Sequence, residues 1–441
     1  MTIERPIFLL GAGASKAADL PLASELTGLM IDHLGDGRSV FPSGKRAAAL
    51  RYVVSAMIHH AGIRGEDPQT LPDIETVVSA IELLGSRDRV EISPFVQWAD
   101  AVNSMDETSG AGATDWVAGI LKDYQERRSL WTVQRHSRDK AFRDVVRNAM
   151  GVSTGKVYEQ LLDSMVKSLV PLLAVQDEAR LDYLRPLVEL GRNNAVTIAT
   201  LNYDLTIETA ARLADVRCST GVESWENQGR VVLPDHGVRL LKLHGSVDWA
   251  RDHDDPRYGS YSPDGPLPSV RLPRTVLTTG CDTDPSVAHD WTPFVIFGRR
   301  EKLRAPGPFL ALRSELESRL AGTTCLIVIG YSFSDDHINE MLARWLNIDP
   351  VRVLLVVDPS FSQAAGDPTD QRSVVEKSLC RQWPQDQSRL LVIPQRAEEV
   401  LGEIVNWSAS DVRARINQMI SARADLPRER RGEVPFPYLR I

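Results

Sequence analysis

Short apolar runs alternate with amphipathic stretches in two parts of the chain. One run covers residues 6–10, and five more occur between residues 195 and 357. Runs of this kind, rich in Val, Ile and Leu, are typical of parallel strands that are buried on both faces. The later predicted strands are 195–201, 240–243, 293–297, 325–329 and 352–357.

Stretches with helical periodicity lie between several of these runs. Apolar side chains recur at three- and four-residue spacing in residues 205–213, 309–320 and 335–346. Residues 252–274, rich in Asp, Pro, Gly and Ser, predict a long loop instead. The alternation of strands and helices predicts βαβ units, so we expect an α/β fold with a doubly wound, Rossmann-like parallel sheet.

The region between the first strand and the later series has a helical pattern. Predicted helices cover residues 22–34 and 45–60 and a stretch that begins at Asp73. From that stretch to about residue 185 the sequence shows no clear strand. We therefore expect three parts in the chain. They are a Rossmann-like domain of residues 1–30 and 186–400, a large helical insertion of residues 31–185, and a C-terminal helix and tail, either solvated or a docking segment, of residues 401–441.

Composition excludes several classes of protein. The chain has 441 residues, of which 43% are hydrophobic and 25% charged, as in ordinary globular proteins. A net charge of −8 argues against direct, sequence-independent binding of nucleic acid by the whole surface. No apolar run approaches the roughly 20 residues that a membrane-spanning helix needs. We expect a cytoplasmic protein without a membrane segment.

The cysteines are scattered and form no Cys-x-x-Cys pair, the short spacing that a structural zinc site requires. They are Cys218, Cys281, Cys325 and Cys380. We expect no zinc and no disulfide in a cytoplasmic chain. His337 follows Asp335 and Asp336, but an acid pair at the start of a helix explains these residues better than a metal site does.

A glycine turn follows the first apolar run directly. Gly11, Ala12, Gly13 and Ser15 lie where a doubly wound fold opens a phosphate site, because glycine lets the backbone approach a pyrophosphate and the next helix offers unpaired N–H groups. Lys16 replaces the small residue of the dehydrogenase fingerprint, and no acid ends a second strand about 20 residues later. The turn predicts nucleotide binding without ordinary hydride transfer; a plain tight turn before a helix is the alternative.

Two further motifs fall at the predicted ends of neighbouring strands. In residues 200–204, Thr-Leu-Asn-Tyr-Asp, Asp204 can cap the next helix while Asn202 projects its amide into the crevice. In residues 243–246, Leu-His-Gly-Ser, His244 precedes a glycine and is a candidate general base. The structural alternatives are a capped helix for the first motif and a core histidine for the second.

The order of these motifs resembles the sirtuin family. Sirtuins carry a Gly-Ala-Gly loop that ends in a serine-like residue, then Thr-Gln-Asn-x-Asp, then a catalytic histidine before glycine; here Leu201 replaces the glutamine. A fourth element, residues 329–339, has the sequence IGYSFSDDHIN and looks most like the bacterial sirtuin-like proteins of antiphage defence. The resemblance covers residues 6–30 and about 195–360.

The resemblance implies roles for individual residues with NAD as substrate. Asn202 would hold the ribose hydroxyls or the attacking water, His244 would act as general base, and Asp204 would fix the site or contact the nicotinamide side. The cofactor-binding residues implied in this way are Gly11, Ala12, Gly13, Ser15, Thr200, Gly330, Ser332 and Asp358.

One departure from the family favours hydrolysis over deacylation. Protein-deacylating sirtuins insert a module with four zinc-binding cysteines after the histidine, and this chain has only Cys281 in that region. We expect an NAD+ glycohydrolase that forms nicotinamide and ADP-ribose and depletes cellular NAD in antiphage defence. The alternatives are an NAD-dependent protein deacylase or ADP-ribosyltransferase, and a non-catalytic module that binds NAD or ADP-ribose.

The resemblance also implies control by assembly. An enzyme that depletes NAD must stay inactive until it is triggered, so we expect control by assembly or by another protein. The resemblance implies oligomers, and we expect a homo-oligomer. The resemblance implies a partner such as a HerA-type hexameric ATPase or an Argonaute.

Overall fold

The computed structural model of the chain describes residues 5–35, 44–67, 70–87, 102, 156–225, 230–251, 270–271, 292–298, 308–362, 379 and 389–424. The chain divides into two compact units. The larger consists of Met1–Leu22, Leu169–Phe297 and Glu301–Ile441, and the smaller of Ala23–Ser168 and Gly298–Arg300.

Strands of the larger unit form two sheets. In chain order they are β1 (Ile7–Leu10), β2 (Ala195–Thr200), β3 (Cys218–Ser219), β4 (Gly237–Lys242), β5 (Gly245–Arg251), β6 (Val270–Arg271), β7 (Pro293–Val295), β8 (Cys325–Ile329), β9 (Val353–Val357) and β10 (Leu390–Ile393). Within the described residues, seven strands make an all-parallel sheet of order β10-β9-β8-β1-β2-β4-β3. A three-stranded antiparallel sheet has the order β6-β5-β7. The α/β class and the parallel sheet are confirmed.

Helices account for most of the remaining described residues. In chain order they are α1 (Ala23–Gly35), α2 (Gly44–Ile63), α3 (Ile74–Gly85), α4 (Lys156–Leu172), α5 (Arg185–Glu189), α6 (Thr206–Leu213), α7 (Phe309–Ala321), α8 (Asp336–Ile348), α9 (Ala397–Ile404) and α10 (Ala409–Ala424). Short 3-10 helices cover Ala12–Ala18, Glu178–Leu184, Val222–Ser224 and Pro359–Ser362. None of the described helices is both long enough and apolar enough to span a bilayer.

Each face of the parallel sheet carries its own hydrophobic core. Phe8 and Leu10 of β1 belong to one core, which α5, α6, α9 and α10 complete. Ile7 and Leu9 belong to the other, which α7 and α8 complete. This alternation follows from the two-residue period of a strand, and burial on both faces explains why these strands read as continuous apolar runs.

The smaller unit is helical where the structure describes it. In α3 the side chains of Val77, Val78 and Ile81 are fully buried, as the predicted amphipathic pattern requires. Asp73 caps this helix by accepting a hydrogen bond from the Thr76 N–H at 3.0 Å. Four ranges of the predicted insertion, residues 36–43, 68–69, 88–101 and 103–155, lie outside the described residues.

The prediction that residues 293–297 form a strand of the parallel sheet is wrong. Within the run 293–297, Pro293–Val295 forms β7, which pairs antiparallel with β5 in the smaller sheet instead of joining the parallel sheet. The cause lies at Gly245, whose φ of +87° turns the chain directly after β4 into β5. A short apolar run does not indicate its partner. The sequence reading also missed β3, β5 and β10, and it placed β6 in a loop that otherwise lies outside the described residues.

Candidate functional site

The predicted motifs converge because the parallel strands end in register. Leu10 at the end of β1 pairs with Thr200 of β2 on one side and with Ile329 of β8 on the other. Thr200 in turn pairs with Lys242 at the end of β4. The chain leaves β1 to form β2 on one side and later β8 on the other, which makes the end of β1 a switch point of the kind where α/β sheets bind ligands.

The glycine turn packs against a second turn of the protein. The Gly13 N–H donates to the Gly330 carbonyl at 2.9 Å, and the Gly11 N–H donates to the Ile329 carbonyl at 2.9 Å. A Cβ atom on Gly11 would lie 2.5 Å from the Gly330 oxygen. Gly330 has a φ of +61°, and a Cβ atom added there would clash with the backbone of Ala14. The glycines are therefore required for the close approach of two backbone turns, whatever they do for a ligand.

A hydrogen-bonded network, which we call the Asn202 network, ties the glycine turn to the end of β2. The Asn202 amide nitrogen donates to the Gly11 carbonyl at 2.9 Å and to the Ser15 hydroxyl at 3.0 Å. Ser15 donates to the Asp204 carboxylate at 2.9 Å. The structure thus brings together four of the predicted site residues, Gly11, Ser15, Asn202 and Asp204, and the Asn202 nitrogen is directed at the turn.

Asp204 also holds the start of α6, as a capping residue does. Its Oδ1 accepts hydrogen bonds from the Thr206 backbone N–H at 3.0 Å and from the Thr206 hydroxyl at 2.7 Å. Thr200 contributes its hydroxyl to the same segment, since it accepts from the Asn202 backbone N–H at 3.1 Å.

An ion pair between a fully buried lysine and a partly buried glutamate lies beneath this segment. Lys242, fully buried at the end of β4, donates to the Glu208 carboxylate at 2.8 Å and to the carbonyl oxygens of Tyr203 and Asp204. Burial, reinforced by the charge of Asp248 and opposed by Lys242, raises the pKa of Glu208 to about 7. Burial lowers the pKa of Lys242, but the three carboxylates around it outweigh this effect and raise it.

His244 lies in a separate cluster, which we call the His244 pair. Its Nε2 is 3.1 Å from Oδ2 of Asp335, and their side chains are only 7% and 4% exposed. Asp335 also caps α8, with Oδ1 accepting from the backbone N–H groups of His337 and Ile338 at 3.0 and 3.4 Å. The acid at this helix start is thus a cap, as the sequence indicates, and a partner of the histidine, which the sequence does not indicate.

A small pocket opens beside the pair. Its volume is about 40 Å³, enough for a few water molecules. Apolar side chains form most of its wall, and Arg313 and His337 add polar groups next to the His244 pair. The apolar lining comes from Leu243, Ile296, Phe309, Leu310 and Ile338.

The remaining predicted residues lie at later strand ends and engage their own loops. The Ser332 hydroxyl is exposed and donates to Ser334 at 3.0 Å. Asp358 accepts from the Ser360 N–H at 2.8 Å and from its hydroxyl at 2.6 Å. Burial raises the pKa of the Asp358 carboxyl, while these two hydrogen bonds oppose the shift.

Sequence reasoning missed Lys242 and Tyr203 as well as the second contact of Asp335. Lys242 ends an apolar strand, and a lysine in that position is the signal that could have found it, since a fully buried lysine requires a partner. Tyr203 places its ring 6.5 Å from that of His244 and donates to the Ile296 carbonyl at 2.8 Å. The pairing of Asp335 with His244 depends on sheet order, which no local pattern contains.

No cluster of His, Cys, Asp and Glu that could hold a metal ion occurs among the residues described. Cys281 and Cys380 lie outside them. Comparison with known proteins adds no relative: no protein-family model matches the chain, and no curated protein matches it at a significant level.

Proposed function

We propose that this protein is an NAD+ glycohydrolase with a doubly wound, Rossmann-like fold. The observation that carries the proposal is the convergence of the glycine turn, Asn202 and His244 at the carboxyl ends of adjacent parallel strands. This is the crevice where α/β sheets bind nucleotides. The His244 pair lies beside a pocket that is large enough for a few water molecules, which suits a water nucleophile.

Hydrolysis of NAD does not require an acid that protonates the leaving group. Nicotinamide leaves as a neutral ring and takes with it the electron pair of its bond to the ribose carbon. A water molecule forms the new bond to that carbon and gives up one proton. His244 would accept this proton, and the site would otherwise stabilise the positive charge that develops on the ribose.

The Asn202 network would set the shape of the binding crevice. Gly13 and Ala14 already donate their N–H groups within the protein, to the carbonyls of Gly330 and Gly11. A pyrophosphate at this turn would therefore rely on the other groups of the turn and on side chains of the crevice. The Asn202 nitrogen, held by Gly11 and Ser15, keeps the turn and the end of β2 in one arrangement, and its amide oxygen is the group offered to the ribose or to water.

The biological setting is part of the proposal. Hydrolysis of NAD by a homo-oligomer in the cytoplasm, controlled by assembly or by a partner such as a HerA-type hexameric ATPase, would deplete NAD during phage infection. This setting follows from the resemblance of the four motifs to sirtuin-like defence proteins and adds no requirement to the chemistry.

The experiment is an assay of nicotinamide release by the full-length protein over a range of protein concentrations, alone and with candidate partners. We expect His244→Ala to lose more than about 10²-fold in rate. His236→Ala, which removes an exposed histidine, is the matched control and should retain the wild-type rate. Recovery of bound, intact NAD would indicate a binding module, and release that depends on an added acylated or acceptor protein would indicate a deacylase or transferase.

A further inference from the structure

Asp335 uses its two carboxylate oxygens for different purposes. Oδ1 accepts from two backbone N–H groups at the start of α8, while Oδ2 lies 3.1 Å from Nε2 of His244. A helix cap requires only the first of these contacts. The second joins a residue that precedes α8 to a histidine 91 positions earlier in the chain, at the end of β4.

Further contacts fix the position of the carboxylate. The Tyr331 hydroxyl accepts a hydrogen bond from the Asp335 N–H at 3.2 Å and lies 3.0 Å from the Asn339 side-chain oxygen. Asn339 in turn donates to the Phe333 carbonyl at 2.7 Å. All of these groups are buried, so the segment that carries Asp335 has one well-defined arrangement.

The contact determines which ring nitrogen of His244 carries the proton. An ionised carboxylate can only accept hydrogen bonds, so Nε2 of His244 must be the donor. A neutral imidazole with its proton on Nε2 has Nδ1 as its only acceptor.

We infer that Asp335 is a positioning residue, which holds His244 in the Nε2–H tautomer and so makes Nδ1 the nitrogen that takes the proton from the attacking water. The inference rests on the proposed hydrolysis for its catalytic consequence. In this scheme the catalytic effect of Asp335 is exerted through the histidine and not through contact with the substrate. The protonated imidazole that forms during the reaction would be stabilised by the same carboxylate.

The test compares two amide substitutions at neighbouring positions. Asp335→Asn keeps the side-chain shape and the ability to cap α8, because Asn and Asp are about equally good caps. Its amide nitrogen would face Nε2 of His244 and favour the other tautomer. Asp336→Asn is the matched control, since it makes the same charge change at an exposed position one residue later.

We expect Asp335→Asn to lower the turnover number for nicotinamide release by about 10²–10⁴-fold with little change in KM. The midpoint of thermal unfolding should stay within a few degrees of the wild type. The Asp336→Asn control should keep the wild-type turnover. An Asp335→Asn variant with wild-type turnover would overturn the inference.

A second readout does not depend on catalysis. Nitrogen-15 NMR of histidine-labelled protein, with the His244 signal assigned by its loss in His244→Gln, reports the tautomer directly. The wild type should show the Nε2–H form, and Asp335→Asn should show a shift toward Nδ1–H. The same tautomer in both proteins would overturn the inference. The expected shift in a protein that releases no nicotinamide would instead count against the proposed function alone.

Discussion

At the scale of single residues, Gly330 is the position, among the glycines that the structure describes, where an added Cβ atom would make the shortest contact. Its φ is +61°, and a Cβ atom would lie 2.2 Å from the Ala14 nitrogen and 2.4 Å from the Gly13 carbonyl carbon. Backbone cannot move aside as a flexible side chain can. We expect Gly330→Ala to lower the free energy of unfolding by several kcal/mol, at the upper end of single substitutions, as measured by urea denaturation.

Gly402 provides the control for this substitution. It lies within α9, where an added Cβ would meet nothing within 4 Å. Gly402→Ala should therefore stabilise the protein by about 0.5–1 kcal/mol through helix propensity. A Gly330→Ala variant as stable as the wild type would contradict the close packing of the two turns.

The sequence predicted the positions of the key residues better than their contacts. The sequence predicts that Gly11 and Gly13 let a ligand approach the backbone. In the structure the absence of their side chains also lets the turn pack against Gly330. The sequence predicts that Asn202 projects its amide into the crevice, but it does not indicate that the amide nitrogen donates to the glycine turn. Contacts between residues almost 200 positions apart depend on the sheet order, which local patterns do not specify.

At the scale of elements, the ion pair between α6 and β4 gives a measurable pH dependence. The pKa of Glu208 is about 7 in the folded protein, against 4.5 for an exposed glutamate. Between pH 4.5 and pH 7, Glu208 is deprotonated in the unfolded chain but keeps its proton in the folded protein. The stability that this group contributes is therefore full below about pH 4.5 and is lost as the pH rises through 7.

Glu208→Gln keeps the side chain neutral and should remove this component. We expect the fall in unfolding free energy between pH 5 and pH 8 to be smaller in the variant by about 1–3 kcal/mol, as measured by urea denaturation at each pH. Glu340→Gln, which changes an exposed glutamate of α8, should leave the pH dependence as it is in the wild type. An unchanged slope in Glu208→Gln would contradict the assignment.

The apolar runs predicted strand existence well and strand partnership less well. The run at 325–329 coincides with β8, and the predicted helix 309–320 differs from α7 by one residue. Within the run at 293–297, residues 293–295 form β7, which belongs to the antiparallel sheet. Gly245, with a positive φ, turns the chain after β4, and β5 then pairs with β7. In β5 the buried Val247 and Trp249 alternate with polar residues, a pattern that was not recognised as a strand.

At the scale of the whole molecule, the expectation of an oligomer can be tested by removing the C-terminal segment. Residues 413–440 contain seven arginines, and this arginine-rich segment begins within α10. There the Arg415 guanidinium lies 3.6 Å from the centre of the Trp407 ring, and Ile416 belongs to the core. Removing residues 413–441 would therefore damage the larger unit. Removing residues 425–441 leaves α10 intact and tests the docking hypothesis alone.

Light scattering should give a mass that is a multiple of the 48.9 kDa chain. The deletion of residues 425–441 should change that mass or the response of NAD cleavage to a partner, because subunit contacts are expected at surfaces that are not needed for the core. A monodisperse monomer that cleaves NAD at full rate unaided would exclude control by assembly.

The most direct test of the central claim identifies the fate of the water molecule. The 441-residue protein, at high concentration or with a candidate partner, is incubated with NAD in water enriched in oxygen-18, and the products are analysed by mass spectrometry. Hydrolysis through the proposed site predicts equal amounts of nicotinamide and ADP-ribose, with one heavy oxygen in each ADP-ribose, and neither product from His244→Ala. Intact NAD, or nicotinamide formed equally well by His244→Ala, would contradict the proposed function.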